Sequence, residues 1–323
     1  MSGARMLAEI FEQPDVYLET VRRASSWRLP ARISSIVAIG SGSSFNVALL
    51  ARHYLEGIAG IPTRVSVASE AFRYETQHPE RTLAIALSHS GRSRDVRAAV
   101  ARAKRQGVRT LAITNIEISP LTRDAELAFV TGAGVELAVP STKGFTALIV
   151  AVLLLASSLK NGAKNGGADR LVGKASRATR GWLEKGPRFD RAADTIAAAK
   201  AVIFLGGDIL YPVALDGALK LLEITYVPAF AYPPRELFHG PIALVDSEVA
   251  VVALGTVSED VLDAVRKRGA APIMLDSSTI PRVPRIVRPL VYAPPLQLLA
   301  HAVGKRLGRS IDSPRSLTKV VGD

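Results

Sequence analysis

Apolar positions along this chain follow two alternating rhythms. Leu7, Ile10, Phe11, Leu18 and Val21 recur at helical spacing, which predicts a helix over residues 6–28 with an interruption near Gln13 and Pro14. From Ile33 onward, short apolar runs take turns with longer helical patterns. The runs predict strands over 33–39, 83–87 and 110–114. A Gly/Ser turn and a helix to Leu55 follow the first, and a Ser-rich turn and a helix to Arg105 follow the second. Strands separated by helices pair in parallel, because a parallel crossover needs about that much chain. The longest uncharged stretch, Gly144–Leu159, is shorter than the roughly 18 to 20 residues of a membrane span and reads as a buried helix. The polar, glycine-containing segment Asn161–Asp169 is the expected boundary, and helices over roughly 170–200 follow it.

The pattern then begins again. Shifting the chain by 166 residues lays Val37–Gly40 over Ile203–Gly206, Phe45 over Tyr211 and Leu83–Leu87 over Val249–Ala253. A third strand, Pro272–Leu275, falls near the place set by Leu111–Thr114. The expected fold is therefore α/β: two tandem doubly wound parallel-sheet lobes, flavodoxin-like or Rossmann-like, related by internal duplication. The lobes are placed at 31–160 and 201–310. A helical segment at 1–30 precedes them, a linker with helices at 161–200 joins them, and a tail at 311–323 follows.

Composition narrows the classes. Of 323 residues, 48% are hydrophobic and 22% charged, which is ordinary globular usage and excludes a mainly disordered chain. Cysteine is absent, so disulfides, thiolate metal cages and a cysteine nucleophile are excluded within this sequence. The net charge of +12 suits a polyanion or a small phosphorylated ligand. Its basic residues are scattered, however, with only a mild excess between Lys160 and Lys200, read as solvated helix surface. No run of like charge forms a nucleic-acid arm, so neither nucleic acid nor membrane is an expected partner. Glu9, Glu12 and Asp15 stand where a signal peptide would be apolar, so the expected address is cytoplasmic.

Two turns could hold an anion. Gly40-Ser41-Gly42-Ser43-Ser44 joins a strand to a helix, where orphan backbone donors and the positive helix end favour negative charge. Ser88-His89-Ser90-Gly91-Arg92-Ser93 repeats the arrangement after the next strand, and strand ends of one open sheet share an edge where ligands collect. The plain alternative is that these serines cap helices. The second lobe has Ile209 and Leu210, then Thr256 and Ser258, at the corresponding places; only the first lobe reads as built for an anion. Elsewhere, Asp216, Lys220 and Glu223 fall at spacings of four and three on one helical face. A half-buried glutamate there suits proton abstraction beside a carbonyl, with the lysine polarising oxygen, and a surface salt bridge is the alternative. His239 precedes a Gly-Pro stop, a fitting place for an exposed imidazole. The five histidines make no helical metal pair, and no P-loop or G-x-S-x-G elbow occurs, so no metal and no cofactor is expected.

Taken together, these segments resemble the sugar isomerase (SIS) domain family. Within it they are similar to the isomerase half of the glucosamine-6-phosphate synthases (glutamine:fructose-6-phosphate amidotransferases), and to single-module glucosamine-6-phosphate deaminases. The resemblance runs through Glu9–Pro14, Gly42–Ser44, Ser69–Tyr74, Ser88–Ser93, Val139–Lys143, Asp216–Tyr226, Glu236–Pro241 and Asp312–Lys319. It implies that Ser43, Ser44, Ser88, His89, Ser90 and Ser93 hold a sugar phosphate, with His89 standing where glutamine is usual. Val139 and Ser141 would line the sugar. It also implies that Glu223 moves a proton between C1 and C2 with Lys220 assisting. His239, supplied by a partner subunit, would open the ring, and Lys319 would form an imine with the open ketose. A homodimer follows from that role for His239.

Three departures shape the expectation. The chain begins at the isomerase-like portion and has no cysteine, so nitrogen from glutamine by the synthase route is not expected. Arg92 replaces a glutamate common in synthases, which is more like the deaminases. Asp216 and Pro140 are milder changes, and Pro140 bears on the sugar pocket. The expected activity is interconversion of glucosamine 6-phosphate with fructose 6-phosphate and ammonia. The alternatives are another phosphosugar isomerase or a fructosamine-type deglycase, and, from a different class, a non-catalytic sugar-phosphate-binding regulator.

Overall fold

The computed structural model describes residues 3–24, 33–161 and 167–319. The elements run α1 (Ala4–Ala24), β1 (Ser35–Gly40), α2 (Ser43–Tyr54), β2 (Thr63–Val67), β3 (Thr82–Leu87), α3 (Arg94–Arg105), β4 (Arg109–Thr114), α4 (Pro120–Asp124), β5 (Leu127–Val130), α5 (Lys143–Asn161) and α6 (Ala168–Glu184). They continue with α7 (Asp190–Ala198), β6 (Ala201–Gly206), α8 (Tyr211–Thr225), β7 (Ala229–Tyr232), β8 (Val249–Leu254), α9 (Glu259–Arg266), β9 (Pro272–Leu275) and α10 (Arg288–Arg306). Two compact units result. A five-stranded unit holds Gln13–Glu136 and Lys143–Ser176; a four-stranded unit holds the residues up to Glu12, Leu137–Thr142 and Arg177–Lys319.

In the five-stranded unit the order is β2-β1-β3-β4-β5, all parallel. This is the doubly wound flavodoxin-like order, whose switch point lies between β1 and β3. Both central strands are buried, so they read as continuous apolar runs rather than alternating ones. One sheet face packs Val37, Ile39, Ala84 and Ala86 against Val96, Val100 and Ala103 of α3; α2 and α5 pack together on the other. The four-stranded unit has the order β7-β6-β8-β9, again parallel. There α9 covers Ile203, Leu205 and Val251 through Val261 and Val265, and α8 packs against α10.

The duplication is visible strand by strand. Ser35 pairs with Thr82 and Ala201 with Val249, so the 166-residue offset fits β1 and β6 while β3 and β8 are offset by one residue more. The edge strands β2 and β7 have no strong sequence signal, since half of each faces outward.

Three expectations need correction or qualification. The helix expected to break near Pro14 is continuous through it. Pro14 removes one helical donor, but its carbonyl accepts from Ser176 Oγ (2.7 Å) and Gln13 Oε1 accepts from Thr146 Oγ1 (3.0 Å), so buried side-chain bonds hold that turn. Residues 25–28 of that expected helix, and 162–166 of the expected boundary, lie outside the described residues. The apolar stretch after Gly144 extends into a helix long and apolar enough to cross a membrane, but 89% of its Lys143–Lys160 window is buried inside the protein. Finally, the expected elements do not include α10, which holds Pro294 and Pro295 in its interior and Pro289 in its first turn.

Candidate active site

The first turn sits at the carboxyl end of β1. A Cβ on Gly40 would lie 2.4 Å from the backbone oxygen of Ser44, so only glycine lets the strand enter α2 this closely. Gly42 occupies the N-cap position of α2 and makes no side-chain cap, while Ser43 and Ser44 begin the helix. Neither serine hydroxyl bonds another group among the described residues. Helix capping therefore does not explain them, and they remain half-exposed at a positive helix end.

The second turn follows β3, beside β1 at the switch point. Its backbone is tied to the end of β4 and the start of α4: Ser88 N donates to Ile113 O (3.1 Å), Asn115 N to His89 O (3.0 Å) and Leu121 N to Gly91 O (3.0 Å). Ser93 is the N-cap residue of α3, yet its side chain makes no capping bond. Ser90 Oγ accepts from Arg92 N (3.2 Å). Ser88 is buried, the His89 side chain is mostly buried and Ser90 is partly exposed.

His89 has a partner that sequence reading missed. Its Nε2 lies 3.5 Å from Oε2 of Glu136, whose side chain is fully buried. Glu136 Oε1 accepts from Gly144 N (2.9 Å) at the start of α5. A Cβ on Gly144 would meet the His89 ring at 2.3 Å, so this imidazole packs flat against bare backbone. No motif marks Glu136, which is one carboxylate in an irregular loop; only the signal of a glycine at the start of a long apolar helix was present for Gly144.

In the four-stranded unit, α8 carries the second constellation. Asp216 and Lys220 are buried, and Lys220 Nζ donates to Glu223 Oε2. Lys220 is 1% exposed, so this pair is not the solvated surface bridge that spacing alone allowed. A buried ammonium is tolerated only when paired, which gives Glu223 a structural as well as a chemical reason to face it.

The tail reaches the same unit's Val139–Ser141 segment. Glu9 Oε1 accepts from Leu137 N and from Ala138 N (3.2 Å), and Val139 N donates to Asp312 O (2.9 Å). Asp312 in turn accepts from Gly3 N (3.0 Å) and Met6 N (2.9 Å) at the start of α1. Lys319 Nζ donates to Ala138 O (2.5 Å), and Arg315 stacks over Tyr226, the residue that ends α8. Lys319, Val139 and the α8 terminus are thus joined through a hydrogen-bonded strap. His239 stands apart, exposed after a short 3-10 turn at Pro234–Phe238, and its ring bonds neither Lys220 nor Glu223.

A family model for the SIS domain matches residues 31–158 and 195–281. The chain belongs to the SIS domain family. It is 35% identical over 350 residues to the glutamine–fructose-6-phosphate aminotransferase (isomerizing) of Legionella pneumophila, covering 98% of this chain and 58% of that protein. The corresponding protein of Gloeobacter violaceus is 38% identical over 354 residues with the same coverage. The chain therefore spans little more than half the length of the curated relatives it matches. Among solved structures, the C-terminal domain of glucosamine-fructose-6-phosphate aminotransferase from Francisella tularensis superposes with a TM-score of 0.87 at 30% identity, covering 96% of this chain and 98% of that one. Glucosamine-6-phosphate deaminase from Thermotoga maritima gives 0.82 at 26% identity, covering 98% and 99%. The two parallel sheets are thus two SIS lobes, and the serine turns belong to the first.

Proposed function

We propose that this SIS protein converts glucosamine 6-phosphate and water to fructose 6-phosphate and ammonia. What most supports this reading is the Lys220–Glu223 pair on α8, a carboxylate held beside an ammonium that is itself withdrawn from water. Likeness to the Thermotoga maritima deaminase, and Arg92 in the second turn, favour release of ammonia over its capture.

Under this reading Ser43, Ser44, Ser88, Ser90 and Ser93 bind the phosphate through hydroxyls and amides, and His89 completes that end. His239, from a partner subunit in a homodimer, opens the ring. Glu223 takes the proton from C2 and returns one to C1, while Lys220 stabilises charge on oxygen. The product is an imine at C2. The Lys319 amine adds to it and expels ammonia, and water then hydrolyses the resulting Lys319 imine, leaving the ketone and the free lysine. Val139 and Ser141 line the sugar. The reaction is a proton shift and a hydrolysis, and its atoms balance with side chains and water alone. We place the enzyme in the cytoplasm.

Incubating the purified protein with glucosamine 6-phosphate should yield ammonia and fructose 6-phosphate in equal amounts. Glu223→Gln should lower turnover by on the order of a hundredfold to ten-thousandfold with little loss of binding. Sugar-phosphate binding without either product would replace this reading with that of a regulator. Isomer or amino-acid release from another sugar phosphate would move it to the related isomerases and deglycases.

A further inference from the structure

The second lobe has a cavity that the proposed reaction does not use. It lies at the carboxyl edge of β8 and β9, with a volume of about 510 Å³, within the range of small-molecule sites. Gly255, Thr256 and Val257 line it, on a loop that in this lobe holds the place that Ser88–Ser93 holds in the first. Each loop follows the second strand to pair in its lobe's centre, and Gly255 N donates to Leu275 O (2.8 Å) as Ser88 N does to Ile113 O.

Of the two carboxylates in this cavity, Glu259 is neutralised by Arg266, while Asp276 accepts from Ser278 N (2.8 Å) and Ser278 Oγ (2.5 Å) and keeps its charge. Two guanidinium groups, Arg282 and Arg288, face that one remaining negative charge. Arg282 makes one long bond of 3.4 Å to Ser277 Oγ, and Arg288 pairs with no carboxylate among the described residues. Tyr292 lines the cavity at 6% exposure, and its hydroxyl has no hydrogen-bond partner among the described residues. The ring is buried while the hydroxyl is open to the cavity, where a ligand can bond it. Burial pushes this phenol up from its usual range, so it remains a neutral donor at any physiological pH.

We propose that this cavity is a second ligand site, which binds the phosphate of a small phosphorylated sugar through Arg282 and Arg288 and a sugar hydroxyl through Tyr292. This goes beyond the proposed reaction and does not depend on it, since the site shares no residue with the serine turns or α8. Guanidinium groups suit phosphate because they donate two parallel bonds, which an ammonium cannot.

Hydrogen exchange of the full chain with fructose 6-phosphate tests it, with unphosphorylated fructose as the control. The expected result is added protection over 255–259 and 276–292 with the phosphorylated sugar alone. That protection should need at least roughly tenfold more ligand in Arg288→Gln, which is exposed and leaves the core untouched, and in Tyr292→Phe. It should persist in Ser90→Ala, where protection over 88–93 is weakened instead. Protection confined to 88–93, protection equal for fructose, or protection at 276–292 that both variants leave unchanged would each overturn the second site. Protection at 276–292 without any at 88–93 would uphold it while removing the phosphate role proposed for the serine turns.

Discussion

At the scale of single residues, the positions that matter are those where a side chain has no room to be anything else. Gly40 is one: adding a methyl group places it 2.4 Å from backbone that cannot rotate away. Gly40→Ala should lower stability by roughly 1–3 kcal/mol in urea denaturation and weaken sugar-phosphate binding together, because the same turn supplies both. Lys319 invites a chemical test. Borohydride reduction during turnover should link the ketose to the chain by mass spectrometry, and Lys319→Arg should abolish the adduct while preserving the bond to Ala138 O. The two serine turns were legible in the sequence because each follows an apolar strand run, whereas Lys319 was singled out by family resemblance alone. Glu136 was not, since its only distinction is to end up 3.5 Å from a histidine forty-seven residues earlier.

At the scale of elements, α10 shows how tertiary packing overrides local preference. A helix with two interior prolines should be disfavoured by several kcal/mol, yet it is buried for most of its length and packs against α8. Near its end, His301 bonds Gly3 O at 3.0 Å and is held below the usual 6.5, chiefly by burial. The groups facing it electrostatically are Lys305 on its own helix and Asp312 in the tail. The sign follows directly. The unfolded chain takes up a proton near pH 6.5 while the folded chain resists, so stability falls as pH drops below about 6.5 and levels off only once the lower folded value is passed. The loss is at most about 1.4 kcal/mol per pH unit from this group. His301→Gln should flatten the difference between urea midpoints at pH 7.5 and pH 5.5; an unchanged difference would show that other groups govern acid stability.

At the scale of the whole molecule, the proposed homodimer makes a sharp prediction. Glu223→Gln and His239→Ala should each be inactive alone, and mixing them under subunit exchange should restore about a quarter of wild-type activity, since half the dimers are mixed and each of those has one intact site. No recovery, with exchange confirmed by mass, would mean that His239 serves its own chain. The duplication also belongs to this scale. The same 166-residue shift that revealed the lobes placed β1 on β6, whereas the one-residue slip at β3 and β8 emerged only from strand pairing.

The amino-acid order by itself determined the alternation of strands and helices, the repeat, and the two serine turns, because each rests on contacts between residues close in sequence or on backbone geometry that few residue types allow. The tertiary structure alone decided that Lys220 is enclosed, that Glu136 stands behind His89, and that Glu9 and Asp312 strap the tail bearing Lys319 to Ala138. Those outcomes depend on burial and on contacts between segments far apart in the chain, or on the solvent that packing removes, and neither leaves a periodic trace in the chain.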